Sequence, residues 1–320
     1  MTKIKLAYAL NSWRQTYDTF VRSEHHERAL KTVSVSGFQA VELTAGSGRW
    51  EPMGNREMME ANHGSVQGFA DFLRDCAIDS VSSYFFDPGA FMSSASMPLA
   101  PGNPGDAAAI IELAREYLAL LAALGGNRLV VKPAPAFWRT GELAGPLLKN
   151  VASLWNEVGA LAAEHGAQVA LHLDCLSCVR TEQAIASLLD ATQPQTVGLA
   201  LDTGELVLAG LDPLIVYKRF AGRVNHVQFK DVLLRDELGE ATLKNAESNF
   251  LSAGGAREVP RWFWEMGTPG GLVDFPALLA AMKEAGYDGW IVVESDQSPY
   301  PATSAMLNGW YVKHKLAALL

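Results

Sequence analysis

Nine polar side chains fall at comparable places in this chain, near the C-terminal ends of short apolar runs: Glu42, Lys132, His172, Asp174, Asp202, His226, Gln228, Lys230 and Glu294. In QVALHLD, Val169, Leu171 and Leu173 share one face of an extended segment, while Ala170, His172 and Asp174 share the other. The same alternation sets Asp202 against Leu201 in VGLALD, Glu294 against Val293 in GWIVVE, and Glu42 against Val41 and Leu43 in QAVELT. In VNHVQFKD it puts His226, Gln228 and Lys230 on one face and Val227 and Phe229 on the other. Carboxylates crowded into a partly desolvated space repel one another unless cations compensate. Two lysines offset part of that repulsion, and a divalent ion does so more directly. Oxygen and imidazole donors suit Mg, Mn, Co or Zn. His172, Asp202, Gln228 and Glu294, from four successive runs, form the most economical ligand set. Each alone reads more readily as a cap or loop residue; recurrence at four successive strand ends favours a site.

The elements that must position these residues are eight strand candidates: KIKLAYAL, FQAVELT, DSVSSYF, NRLVVKP, QVALHLD, VGLALDT, VNHVQFKD and GWIVVES. Between them lie segments of helical spacing, such as DAAAIIELAREYLALLAALGG and LLKNVASLWNEVGALAAEHG, both ending in glycine. Asp212 and Asp274 stand where helix N-caps are expected. This alternation predicts a parallel sheet, and eight units over 320 residues predict a single-domain α/β (β/α)₈ TIM barrel spanning 1–320. The apolar strand faces would pack under outer helices, and the polar ends would ring the mouth. FDPGAFMSSASMPLAPGNPG and the long segment 232–262 both follow strands, so both belong on the rim, either as lids or as plain insertions.

Bulk properties narrow the classes. With 49% hydrophobic and 19% charged residues, the chain can bury a sizeable core. A net charge of -9 and the lack of a basic run argue against nucleic-acid or anionic-membrane partners. No apolar stretch reaches the ~20 residues of a membrane span, and no signal-peptide plan is evident, so a cytoplasmic location is expected. Cys76, Cys175 and Cys178 do not make a disulfide framework. Cys175 and Cys178 have CxxC spacing beside the fifth strand, and free structural thiols are the simpler reading. GTPGG, at 267–271, lacks the Lys-Ser/Thr of a phosphate loop and reads as a tight connection. His25, His26 and His165 fall on helices or helix ends and are expected in solvent.

At the strand ends the sequence resembles the xylose-isomerase-like TIM-barrel family of sugar phosphate isomerases and epimerases, to which inosose dehydratases are related. The likeness is clearest over 168–299, with AVEL at 40–43 as an earlier match. LALDTGELVLAGLDPL is similar to the sixth-strand motif whose Asp, here Asp202, binds metal. VNHVQFKD looks like the seventh-strand motif that usually reads His-Leu-Lys-Asp. GTPGGLVDFPALLAAMKEAGYDGWIVVESDQSP is similar to the closing motif, whose Glu, here Glu294, serves as ligand and base. The chain departs from the family pattern at His172 (usually Glu), Gln228 (usually His) and Glu205 (commonly His). Inosose dehydratases come nearer at the fifth strand, but keep the histidines that Gln228 and Glu205 replace.

The resemblance implies one divalent ion, on His172, Asp202, Gln228 and Glu294, chelating a sugar or polyol carbonyl and its neighbouring hydroxyl. Glu294 or Glu42 would act as general base, and Lys230 and His226 would bond the oxyanion or a hydroxyl. Lys132, Asp174, Glu205 and Trp13 are expected to contact substrate, with Lys132 on a phosphate or carboxylate. Trp13, Trp138, Trp262 and Trp264 could stack on a sugar or pack in the core. Isomerisation, epimerisation and dehydration share this first step. Rivals are a non-catalytic sugar-binding barrel, and an abasic-site endonuclease, which would need more histidines and a basic face. Self-assembly is an expectation by analogy alone.

Overall fold

The computed structural model describes residues 4–15, 23–46, 53–251 and 261–320. Eight parallel strands close into a barrel: β1 (Lys5–Ala9), β2 (Ala40–Thr44), β3 (Ser80–Phe86), β4 (Arg128–Val131), β5 (Gln168–His172), β6 (Val197–Asp202), β7 (Val224–Phe229) and, after a short antiparallel pair β8 (Asp231–Val232) and β9 (Phe263–Trp264), β10 (Trp290–Val293). Each of the eight expected strands is present, and β1 pairs with both β2 and β10, which completes the closure.

The alternation of faces divides the core in two. Outward-facing residues such as Val169, Leu171, Leu199, Leu201, Val227, Ile291 and Val293 join the main cluster beneath the helices. Inward-facing residues form small clusters, Ala7, Ala9, Ala40 and Val292 in one and Val130, Ala170 and Ala200 in the other. Small side chains fill the narrow interior and leave the last inward positions for polar groups.

The helix signals read from sequence hold. Asp212 Oδ1 accepts from the Leu214 and Ile215 amides, and Asp274 Oδ1 from the Ala277 amide at 3.0 Å. The helices Ala107–Ala123 and Gly145–Glu164 are followed by Gly125 and Gly166, both at positive φ, where a side chain would be strained. The GTPGG connection wraps the carboxylate of Asp231. Asp231 Oδ1 accepts from the amides of Val232, Leu272 and Val273, and Oδ2 from that of Gly267. A Cβ on Gly271 would come within 2.1 Å of Asp231 Oδ2, so glycine is required there.

Of the two rim insertions, the first begins with the turn Pro88–Ala90 and carries a Met92–Pro98 bridge. The second contributes β8, β9 and the helix Ala246–Leu251; its stretch 252–260 lies outside the described residues. No helix among the described residues is long and apolar enough to cross a membrane. One expectation is corrected: His26 is buried, because it sits on the inner face of the helix Ser23–Val35 rather than on its solvent side.

Candidate active site

Strand register brings the expected residues together. Asp202 at the end of β6 pairs in register with Gln228 of β7, and Gln228 with Val292 of β10, one inward position before Glu294. His172 ends β5, and Lys230 follows β7 by one residue. Glu42, His172, Asp174, Asp202, Glu205, His226, Gln228, Lys230 and Glu294 are all buried.

Lys230 is the hub. Its Nζ lies 3.2 Å from Asp202 Oδ2, 3.2 Å from Glu294 Oε2, 3.5 Å from Glu205 Oε1 and 3.8 Å from Asp296 Oδ2. Burial works against its charge, but these carboxylates outweigh that and hold the ammonium well above the usual lysine range. Asp202 Oδ2 also faces His172 Nε2 at 3.2 Å, and Asp202 Oδ1 accepts from the Glu205 amide at 2.9 Å. Burial would raise the Asp202 carboxyl; Lys230 and His172 overcome that and hold it below its ordinary value. His172 moves the other way, its imidazolium favoured by Asp202 and Glu205 over the cost of burial. Burial is also the main reason the Glu294 carboxyl is pushed up to about 7, with Lys230 opposing and Asp296, Asp202 and Glu42 adding. Asn11, on the turn Asn11–Gln15 after β1, donates its amide to Glu294 Oε1.

A second layer centres on Glu42. Its Oε2 accepts from Ser83 Oγ at 2.7 Å and faces His226 Nε2 at 3.1 Å, while its Oε1 accepts from Gln228 Nε2 at 2.7 Å. Glu42 therefore accepts from Ser83 and Gln228, with His226 close by, an anchor rather than an open base. Gln228, turned by that bond, is left with a buried Oε1 that no group among the described residues meets. Asn11 Oδ1 and Asp296 Oδ1 are buried acceptors in the same position. Unmet buried acceptors are costly, and several around one mouth suit a ligand rich in hydroxyl donors.

Beside these layers, Lys132 Nζ binds Asp174 Oδ2 at 3.0 Å and lies 3.8 Å from Asp87. Its charge, expected to meet a phosphate or carboxylate of the substrate, already has two carboxylates of its own chain. Glu205 Oε2 accepts from the Cys175 amide at 2.9 Å, and burial pushes the Glu205 carboxyl up.

The donor set expected for a divalent ion is thus engaged from within. An ion bridging Asp202 and Glu294 would need the position the Lys230 ammonium holds. His172 faces Asp202 rather than an open centre, and Gln228 and His172 are uncharged or cationic donors where carboxylates would bind more strongly. As arranged, these four residues do not fit such an ion. Among the described residues, the metal-type donors that converge within 4.8 Å are Asp174, Cys175 and Glu205. Both of those carboxylates are already held, by Lys132 and the Leu176 amide and by the Cys175 amide.

The four tryptophans singled out above do not form a stacking wall. Trp13 packs edge-on to Tyr8, Trp138 donates to Glu247, Trp262 lies flat on Phe250 with centroids 4.7 Å apart, and Trp264 carries the Arg261 guanidinium over its ring. Cys175 and Cys178 are buried free thiols; burial raises the first well above its ordinary range and the second to about 11. Sequence reasoning missed Asn11, Asp296 and Ser83. Asn11 and Asp296 were accessible by parity, since Asn11 continues the inward positions Ala7 and Ala9, and Asp296 continues Val292 and Glu294. Ser83 was hidden by an irregular register between β2 and β3 at Val41 and Glu42.

A family model described as xylose isomerase-like TIM barrel matches residues 30–310. The chain belongs to this family. An inosose dehydratase of Lacticaseibacillus casei is 36% identical over 156 residues, 48% of this chain and 49% of that protein. Inosose dehydratase 2 of Bacillus cereus is 34% identical over 187 residues, 54% of this chain and 59% of the relative. The chain thus spans about half the length of the curated relatives it matches. The barrel itself is shared with a probable 3-DHS dehydratase from Bacillus anthracis at TM-score 0.73 and 15% identity, covering 98% of this chain and 100% of the other. It is also shared with a D-allulose 3-epimerase from Methylomonas sp. at TM-score 0.67 and 16% identity, covering 98% and 96%. At such identity these two speak for the fold of the family alone.

Proposed function

We propose that this barrel is an enzyme that enolises an unphosphorylated keto-polyol and then expels a hydroxyl group, a dehydration. The observation that carries this reading is the Glu294–Lys230 pair: a carboxylate and an ammonium 3.2 Å apart, buried at the mouth among unmet acceptors. Glu294 takes the proton from the carbon next to the substrate carbonyl. The electron pair moves onto the carbonyl oxygen, where Lys230 meets the developing negative charge. The enediolate then collapses, and the neighbouring C–O bond breaks. The departing hydroxyl takes a proton from Glu205, whose buried, raised carboxyl is suited to be an acid, and leaves as water. Gln228 Oε1, Asn11 Oδ1 and Asp296 Oδ1 accept the remaining hydroxyls. Glu42 and Ser83 orient Gln228, and Lys132 holds Asp174 in place.

Two further facts support dehydration. Relatives at 36% and 34% identity are inosose dehydratases. Lys132 is already paired with Asp174 and Asp87, which favours a substrate without a phosphate. Return of the proton to the neighbouring carbon would give isomerisation, and its return to the same carbon from the opposite face epimerisation, from the same enediolate.

The test is solvent deuterium uptake, followed by NMR, over a panel of inososes and keto-sugars. Uptake by at least one, with loss of water from it, is expected. Glu294→Gln should slow uptake by about 10²–10⁴-fold while leaving the fold intact. Sugars that bind tightly but never exchange would instead identify a sugar-binding barrel.

A further inference from the structure

We infer that Lys230 permanently holds the cation position of this mouth, so that the barrel takes no divalent ion between Asp202 and Glu294. The lysine is built in rather than draped across the opening. Its amide donates to Thr203 Oγ1 at 3.0 Å, and Thr203 Oγ1 donates back to the Lys230 carbonyl at 2.7 Å. Its stem runs past Gly204, where a Cβ would come within 2.7 Å of Lys230 Cγ and 3.1 Å of the Phe263 ring. The ammonium lies 4.0 Å over the centre of that ring, which shields it from the outer side. Thr203 and Gly204 directly follow Asp202, and Phe263 comes from β9. Two separate segments, the residues just after β6 and β9, therefore fix the position of one Nζ.

The carboxylates are arranged for an ammonium. Asp202 Oδ2 and Glu294 Oε2 each lie 3.2 Å from Nζ, a hydrogen-bonding distance to an ammonium. Their other oxygens are taken by the Glu205 amide and the Asn11 side chain. The departures at His172 and Gln228 belong to the same arrangement: one donates toward Asp202, and the other spends its amide on Glu42. A fixed organic cation needs fewer anionic donors than a divalent ion, and this mouth has one fewer at His172, where the family usually carries Glu.

This inference concerns the same groups as the proposed dehydration, and Lys230 supplies the positive charge in both. Its readout is bound metal, so the two can fail separately. Wild type, Lys230→Met and Lys230→Gln are purified in parallel and stripped with chelator. Mn²⁺ or Zn²⁺ is then added, and binding is measured by calorimetry and by mass spectrometry of the dialysed protein. Wild type should bind well below one equivalent, and Mn²⁺ should not move its melting temperature. Either folded Lys230 variant should bind Mn²⁺ at least about tenfold more tightly than wild type, because removal of a buried positive charge leaves two carboxylates facing an open position. About one equivalent on wild type, lost in Asp202→Asn, overturns the inference. Absence of binding in wild type and in a folded Lys230 variant also overturns it, because Lys230 would then not be what excludes the ion. If neither variant folds, the wild-type stoichiometry decides alone.

Discussion

Residue type was a poor guide to role within the mouth; the partner of each group was a better one. Glu42 and Glu294 are both buried glutamates at strand ends, and from sequence either could be the base. In the structure Glu42 has Ser83, His226 and Gln228 around it, whereas Glu294 meets Lys230 and Asn11. Glu42→Gln should therefore cost about 1–3 kcal/mol in urea unfolding, because a carboxamide cannot accept from Ser83 and Gln228 at both of its ends. It should reduce deuterium uptake much less than Glu294→Gln does. If Glu42→Gln abolishes uptake while leaving stability unchanged, the two roles have been exchanged. Asp231 is the other lesson at this scale. It stands beside Lys230 in the strand-seven motif, yet its carboxylate serves four backbone amides, of Val232, Gly267, Leu272 and Val273, rather than the mouth.

Elements follow the same logic, since short local signals set their ends. Asp212 caps the helix Pro213–Phe220 through two amides, so Asp212→Ala should lower stability by about 1 kcal/mol. Asp212→Asn should retain most of it, and equal losses in both would show that capping is not the cause. Gly271 has no such local signal. Its need for glycine arises because Asp231 sits against its Cα, and Gly271→Ala should destabilise by about 1–3 kcal/mol through that clash. Asp231→Ala in the same chain removes the obstacle, so the two changes should be strongly non-additive in a double-mutant cycle.

For the whole molecule, the most informative link joins the rim to the last helix. Glu265, just past β9, accepts from Arg261 and from Ser304 of the helix Pro301–Tyr311. Burial opposes its charge, but those bonds prevail and hold its carboxyl below the ordinary glutamate value. The sign follows from linkage. A depressed folded value contributes stability that is present above the unfolded glutamate range and is lost as pH falls through the folded value. Glu265→Gln should thus lower the melting temperature at neutral pH and flatten its dependence on pH between about pH 5 and the acid unfolding limb. Parallel melting curves for wild type and variant across that window would refute the link. The net charge of -9 acts at this scale too: fluorescence anisotropy should show no binding to duplex DNA at about 0.15 M salt.

Sequence alone determined which residues face inward, because alternation along a strand depends only on the chain's own geometry, and the polar strand-end positions follow from it. It also determined the helix caps, since a cap is a contact between near neighbours, and it placed the closing motif from 267 onward within the family. Tertiary structure alone decided what each inward residue meets. Lys230 reaches Asp202 and Glu294 because β6, β7 and β10 are neighbours in the barrel, although Asp202 and Glu294 are far apart in the chain. A ligand set read from strand ends treats every inward group as free to turn toward the centre. In the folded mouth a charge, once buried, takes the nearest partner the barrel provides, and here that partner is a lysine.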